Sequence, residues 1–186
     1  MANDKAYFDS RPVLVIEDSD EDFETVVSAA DRAHISNRLV RACDADAARR
    51  LLAEGPDAAL TGNGVAGAAG AFVWQTQRDA GHDARAGNFY AFMLIDDKLP
   101  GQDGLELLKE LRAAPLPTWL PAVVLTASID AGNREAYYNA GADAYHVKLL
   151  DYAESLRTLE EIFSYWLNCT APARCGPSAA AARWLQ

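Results

Sequence analysis

Leu94-Ile95-Asp96-Asp97-Lys98-Leu99-Pro100-Gly101-Gln102-Asp103-Gly104 ends an apolar run on two adjacent aspartates and then turns sharply. The run begins at Phe89 and is uninterrupted, as expected of a strand covered on both faces. Pro100-Gly101 punctuates the turn. Leu105, Leu107, Leu108 and Leu111 then recur at helical spacing. Strand, acidic end, turn and helix make one β–α unit, and the unit repeats. Val13–Ile16 stops at Glu17-Asp18 and precedes a helix capped by Ser19 or Asp20, with Phe23, Val26, Val27, Ala30 and Ala33 on one face. Leu39-Val40 is a weaker strand before a helix from about Asp44 through Leu52. Pro121–Thr126 precedes a helix over about Asp130–Ala140, and Ala144–Val147 precedes one from Asp151 to about Leu167. Five β–α pairs in alternation predict a doubly wound α/β sandwich with right-handed crossovers.

Two segments break the alternation. Residues 55–88 are too long for an ordinary connection and rich in Gly and Ala, with a helix expected around Ala66–Arg78. The excursion is expected to be mobile or separately folded and to leave the sheet intact. Gly62-Asn63-Gly64-Val65-Ala66-Gly67 inside it matches a dinucleotide fingerprint, but that motif needs a strand immediately before it, and "LLAEGPDAAL" reads as a helix end or loop. Asp79–Asp83 lacks the ligand spacing of a calcium loop. After Asn168 comes a Pro-, Gly- and Ala-containing tail. The expected organisation is one domain over residues 1–168, interrupted at about 55–88, and a tail over 169–186.

The 17 Lys+Arg against 27 Asp+Glu give a formal charge of −10, which repels phosphate backbones and anionic membrane surfaces. Neither nucleic acid nor membrane is an expected partner. Cys43, Cys169 and Cys175 have no disulfide-like or metal-ligand spacing, and "MANDKAYFDSRP" lacks a signal-peptide pattern. No apolar run approaches the ~20 residues of a membrane span. A cytoplasmic protein is expected.

In open α/β sheets functional groups gather beyond the carboxyl ends of the strands. Glu17 and Asp18 stand there after the first strand, Asp96 and Asp97 after the third, Thr126 after the fourth and Lys148 after the fifth. Carboxylates this close repel by about 4 kcal/mol at ~4 Å and an effective dielectric of 20. A divalent cation such as Mg²⁺, which takes hard oxygen ligands, relieves this. Lys148 offers a point charge and Thr126 a hydroxyl, both suited to phosphoryl oxygens. Taken singly, each of these residues also reads as a strand-end cap, a surface lysine or a β-branched strand residue. His34, His82 and His146 show no ligand spacing.

The acidic pair in "VLVIEDSDED", the aspartate four before proline in "DDKLPGQDG", the threonine in "VVLTAS" and the aromatic and lysine in "AYHVK" resemble the receiver domains of two-component response regulators. The resemblance spans about residues 11–168 apart from 55–88. It implies a flavodoxin-like (β/α)5 fold with a five-stranded parallel sheet. It also implies that Asp96 is the phosphoacceptor and that Asp97 belongs to the turn. Asp18, Asp96 and the Lys98 backbone carbonyl would bind Mg²⁺, with Glu17 helping through water. Thr126 and Lys148 would hold phosphoryl oxygens. Tyr145 is either a switch that follows Thr126 or a plain packing aromatic.

Two local departures stand out: Leu149 follows Lys148 where most receivers have proline, and Asp97 replaces the usual aliphatic residue. "SLRTLEEIFSYWLNCTAPA" is similar to the last helix and tail of the single-domain regulators that partner bacteriophytochromes, the red-light sensing histidine kinases. With nothing after residue 168 long enough for an output domain, the expectation is a stand-alone, non-enzymatic regulator acting with a sensor histidine kinase and a downstream protein. An aspartyl-phosphate hydrolase would want a second aspartate where Lys98 stands, and a degenerate receiver acting as a binding module is the other alternative. On the last helix Tyr152, Leu156, Leu159, Phe163 and Trp166 form the stripe for the sheet. Ile162, Tyr165 and Leu167 widen it, which predicts a homodimer through this helix.

Overall fold

The computed structural model describes residues 11–59, 71–74, 89–114 and 120–168. Element order is β1 (Val13–Ile16), α1 (Asp20–Arg32), β2 (Leu39–Ala42), α2 (Ala45–Glu54), a 3₁₀ turn (Pro56–Ala59) and β3 (Ala71–Trp74). There follow β4 (Met93–Asp96), β5 (Lys98–Leu99), β6 (Gln102–Asp103), α3 (Gly104–Ala113), β7 (Ala122–Thr126), α4 (Ala131–Asn139), β8 (Ala144–Val147) and α5 (Tyr152–Asn168).

The main sheet runs β3-β2-β1-β4-β7-β8. Its five strands from β2 to β8 are parallel, as the alternating β–α pattern requires. Alternate residues go to opposite faces. Leu14, Ile16, Met93, Ile95 and Val124 join Leu51, Leu107, Leu108 and Tyr137 in one buried cluster. Val13, Val15, Leu94, Val123 and Leu125 meet Phe23, Val26 and the α5 residues Leu156, Leu159, Phe163 and Leu167 in the other. Each large side chain so buried contributes about 1.5–3 kcal/mol, so the two cores fix the strand order, and with it which strand ends lie side by side.

Helix starts follow side-chain capping. Ser19, Asp44, Asp103 and Asp130 each accept the backbone N–H three residues on, which settles the first cap in favour of Ser19.

The excursion is corrected in two respects, since part of it joins the main sheet instead of folding separately, and does so as a strand instead of a helix. Ala71–Trp74, expected within a helix, is a strand that pairs antiparallel with Leu39–Ala42. The outer edge of β2 offers unpaired backbone groups, and a four-residue apolar run suffices to satisfy them. Gly- and Ala-rich flanks hid that run. The fingerprint at 62–67, Asp79–Asp83, His82, Cys169, Cys175 and the tail lie outside the described residues. A second difference concerns Asp96, expected just past its strand, which is the last residue of β4.

The final helix also departs from expectation. Ile162 and Leu167, expected to widen an outward apolar surface, are 3% and 0% exposed in the core. Tyr165 remains outward and Tyr152 leaves the predicted stripe, both exposed. Phe92, just before β4, shares the core of Ile162 and Leu167, with its ring 6.1 Å from Phe163 and 6.3 Å from Trp166. Among the described residues no helix is long and apolar enough to cross a membrane.

Candidate functional site

Three loops at the carboxyl ends of β1, β4 and β8 converge. After β1, Glu17 is buried and Asp18 exposed. The Ser19 N–H donates to Glu17 Oε1 at 3.0 Å, and Ser19 Oγ accepts from the Asp22 N–H at 3.2 Å. Arg41, reaching over from β2, clamps this loop. Its Nε donates to the Glu17 carbonyl at 2.8 Å, Nη2 to the Asp18 carbonyl at 2.7 Å and Nη1 to Asp20 Oδ1 at 2.5 Å, while the guanidinium lies 4.9 Å from the Phe23 ring centre. The fork geometry of arginine suits such a fan of acceptors. Sequence reasoning passed over Arg41 because a charged residue weakens a strand pattern.

At the end of β4, Asp96 is 9% exposed and its Oδ2 accepts the Lys98 N–H at 3.0 Å. Ligand oxygens of Glu17, Asp18 and Asp96 lie within 4.8 Å of one another. An all-oxygen, anionic donor set with Asp18 open to water fits a hard divalent cation. Burial pushes the Glu17 carboxyl up to about 7, against the pull of the Lys148 ammonium.

Lys148 completes the cluster. Its Nζ lies 2.8 Å from Glu17 Oε2, 2.6 Å from Asp22 Oδ2 and 2.7 Å from Asp96 Oδ1. Burial would lower this ammonium, but the three carboxylates outweigh it and hold it above its ordinary range. Asp22 was not foreseen. The signal was the Ser19 cap, which sets the first turn of α1 and aims its third residue at the strand ends. Lys148 N–H donates to the Thr126 carbonyl at 2.6 Å, and the peptide bond to Leu149 is trans.

The remaining expected residues assemble differently. Thr126 is fully buried, and its hydroxyl donates not to Asp96 but to Asp97 Oδ2 at 3.0 Å. Tyr137 OH donates to the other oxygen of Asp97 at 2.6 Å. The Tyr145 ring lies 5.7 Å from that of Tyr137, and its hydroxyl donates to the Ser128 carbonyl at 3.1 Å and accepts from Asn133 Nδ2 at 3.2 Å. Burial and the Asp97 carboxylate both hold the Tyr137 phenol well above its ordinary range. Asp97, assigned to the turn from the sequence, therefore also points inward.

A family model described as response regulator receiver domain matches residues 72–160. The chain is 31% identical over 87 residues to the probable methanogenesis regulatory protein FilR2 of Methanothrix harundinacea, covering 47% of this chain and 56% of that one. It spans about half or less of the length of the curated relatives it matches. Among solved structures, the Mn²⁺-bound response regulator Rcp1 superposes with a TM-score of 0.65 at 22% identity, covering 87% of this chain and 97% of that one. The phosphorylated cyanobacterial phytochrome response regulator RcpA gives 0.65 at 21% identity, covering 88% and 97%. These likenesses extend the fold over β1 and α1, which precede the matched span and supply Glu17, Asp18 and Asp22. Residues 72–160 thus match the response regulator receiver domain family, and the strand-end acidic cluster lies on the fold that the chain shares with the solved response regulators.

Proposed function

We propose that this receiver accepts a phosphoryl group from the phosphohistidine of a sensor kinase onto Asp96. In the transfer, an Asp96 carboxylate oxygen bonds to phosphorus as the histidine N–P bond breaks. The observation that carries this reading is the convergence at the end of β4, where Asp96 meets the Lys148 ammonium at 2.7 Å and clusters with Glu17 and Asp18. Asp18, Asp96 and the Lys98 carbonyl are the ligands we assign to Mg²⁺, with Glu17 helping through water, and the bound ion would neutralise charge on the phosphoryl oxygens. Lys148 pairs with a phosphoryl oxygen, Thr126 offers its hydroxyl to another, and Tyr145 is the switch aromatic. Lys98 stands where an aspartyl-phosphate hydrolase would want its second aspartate, which favours a signalling role over a hydrolase.

The proposed unit is a stand-alone cytoplasmic receiver over residues 1–168, with the 55–88 excursion adding one strand and 169–186 as a tail. Its donor is a bacteriophytochrome kinase, in keeping with the resemblance of the last helix and tail, and its output is a change of protein contacts rather than nucleic acid or membrane binding. A homodimer through α5 now rests on the exposed Tyr165 and Tyr152. Sedimentation equilibrium of wild type and Tyr165→Glu tests it, a monomeric wild type ruling it out.

Incubation with Mg²⁺ and acetyl phosphate followed by intact mass decides the central reading. Wild type should gain one phosphoryl group and Asp96→Asn none. One specific observation favours the rival of a degenerate binding module, namely that the Thr126 hydroxyl is committed to Asp97. Absence of labelling in the wild type would select that rival.

A further inference from the structure

We propose that Asp97 is a positioning residue that withholds Thr126 from Asp96. A phosphoryl group on Asp96 then has to win the Thr126 hydroxyl from Asp97, and in doing so disturbs the Tyr137–Tyr145 pair. This rests on the phosphoacceptor reading above.

The backbone fixes the direction of the Asp97 side chain. Its N–H donates to the Leu125 carbonyl at 3.2 Å and its carbonyl accepts from Gly104 N–H at 2.8 Å. Each carboxylate oxygen then takes one hydroxyl, Thr126 on Oδ2 and Tyr137 on Oδ1. A threonine hydroxyl has a single proton to donate. That of Thr126 is spent on Asp97, while Oγ1 accepts the Ser128 N–H at 2.9 Å. The side chain is anchored in both senses, with no proton left for a phosphoryl oxygen. Bonds to a carboxylate are about twice as strong as neutral ones, so the anchor is a firm one. When Thr126 departs, Asp97 keeps only Tyr137, whose ring packs on Tyr145. Asp97 thus joins the phosphoryl site to the aromatic pair by direct contacts, and a neutral amide at position 97, which keeps one uncharged acceptor in place of two charged ones, would weaken that link.

A double-mutant cycle on the full chain tests this. Beryllofluoride with Mg²⁺, a phosphoryl mimic, is titrated into wild type, Asp97→Asn, Thr126→Val and the double variant, each checked for folding by thermal melting. Asp97→Asn should tighten binding about tenfold in the Thr126 background, the scale of a hydrogen bond to a charged group, and by under about twofold in the Thr126→Val background. An equal gain in both backgrounds reduces Asp97 to plain charge repulsion and overturns the proposal, as does no gain. Should wild type take up no beryllofluoride, the phosphoacceptor reading fails separately. The anchor is then decided by NMR without metal. A slowly exchanging Thr126 hydroxyl proton, lost in Asp97→Asn together with a shift of the Tyr145 ring signals, supports it. Equal exchange in both proteins overturns it.

Discussion

Lys148 Nζ stands 2.7 Å from Asp96 Oδ1 and at the same time contacts Glu17 and Asp22, so one ammonium neutralises part of a four-carboxylate cluster. Glu17 and Asp96 are nearly buried, and charges left there without a partner are costly. Lys148→Met should therefore destabilise the protein by about 2–3 kcal/mol, below the 3–5 of a fully buried pair because Asp22 is half-exposed. Mg²⁺ should restore more stability to this variant than to wild type, since ligand binding to the folded state alone adds about 2.7 kcal/mol at 100 times Kd. Urea unfolding with and without Mg²⁺ measures both, and an equal Mg²⁺ gain in the two proteins would contradict the charge argument.

Arg41 makes a second prediction. Its three hydrogen bonds hold the carbonyls of Glu17 and Asp18 and the side chain of Asp20. Arg41→Leu keeps apolar contact with Phe23 but strands two carbonyls, at about 1–3 kcal/mol each when buried. A loosened loop should also bind Mg²⁺ about tenfold or more weakly, as loss of a supporting partner commonly does. Calorimetric titration with Mg²⁺ showing unchanged affinity would mean that the loop holds its shape without the clamp.

How far the sequence went is visible in these two residues. Glu17, Asp18, Asp96 and Lys148 were legible because each ends an apolar run, and the fold brings those ends together. Arg41 and Asp22 were not, because their importance lies in contacts across 24 and 126 positions of chain. Asp97 was read as a turn residue since its inward direction depends on the Leu125 and Gly104 backbone bonds, which no pattern announces. The strand β3 hid for a different reason: its pairing is set by the free edge of β2 more than by its own surroundings. Likewise Ile162 and Leu167 seemed surplus to one sheet face until Phe92 and α1 are seen to share that core.

His146 gives a pH dependence. On β8 it pairs in register with Leu125 of β7, and burial lowers its pKa below the ordinary 6.5, against the pull of Glu161. The folded state then binds fewer protons than the unfolded one, and the stability contributed by neutral His146 is lost as pH falls from about 6.5 through the lower folded value. Urea midpoints of wild type and His146→Gln should diverge little at pH 8, and the wild type should lose more on going to pH 5. Parallel loss in both would clear His146 of the effect.

Gly104 sets the packing beneath the site. As the first residue of α3 it has ordinary helical freedom, where alanine would be favoured by about 1 kcal/mol on propensity alone. A Cβ there, however, would lie 2.2 Å from the Asp96 carbonyl oxygen and 2.9 Å from Tyr137 Oη. The carbonyl belongs to the backbone of β4 and cannot rotate aside, so α3 or Asp96 has to shift. The clash outweighs the propensity gain, and Gly104→Ala should destabilise by about 1–3 kcal/mol, the scale of overpacking. Because a displacement near 1 Å can cost about 10²-fold in a reaction, phosphoryl uptake by Asp96 should fall at least tenfold. Gly101 supplies the comparison: its φ of +79° penalises alanine, but nothing lies within 4 Å of the added atom. Gly101→Ala should cost about 1–2 kcal/mol through the backbone and leave the initial rate of phosphoryl uptake unchanged. If the two variants label Asp96 at the same rate, the contact between Gly104 and the Asp96 carbonyl does not position the acceptor.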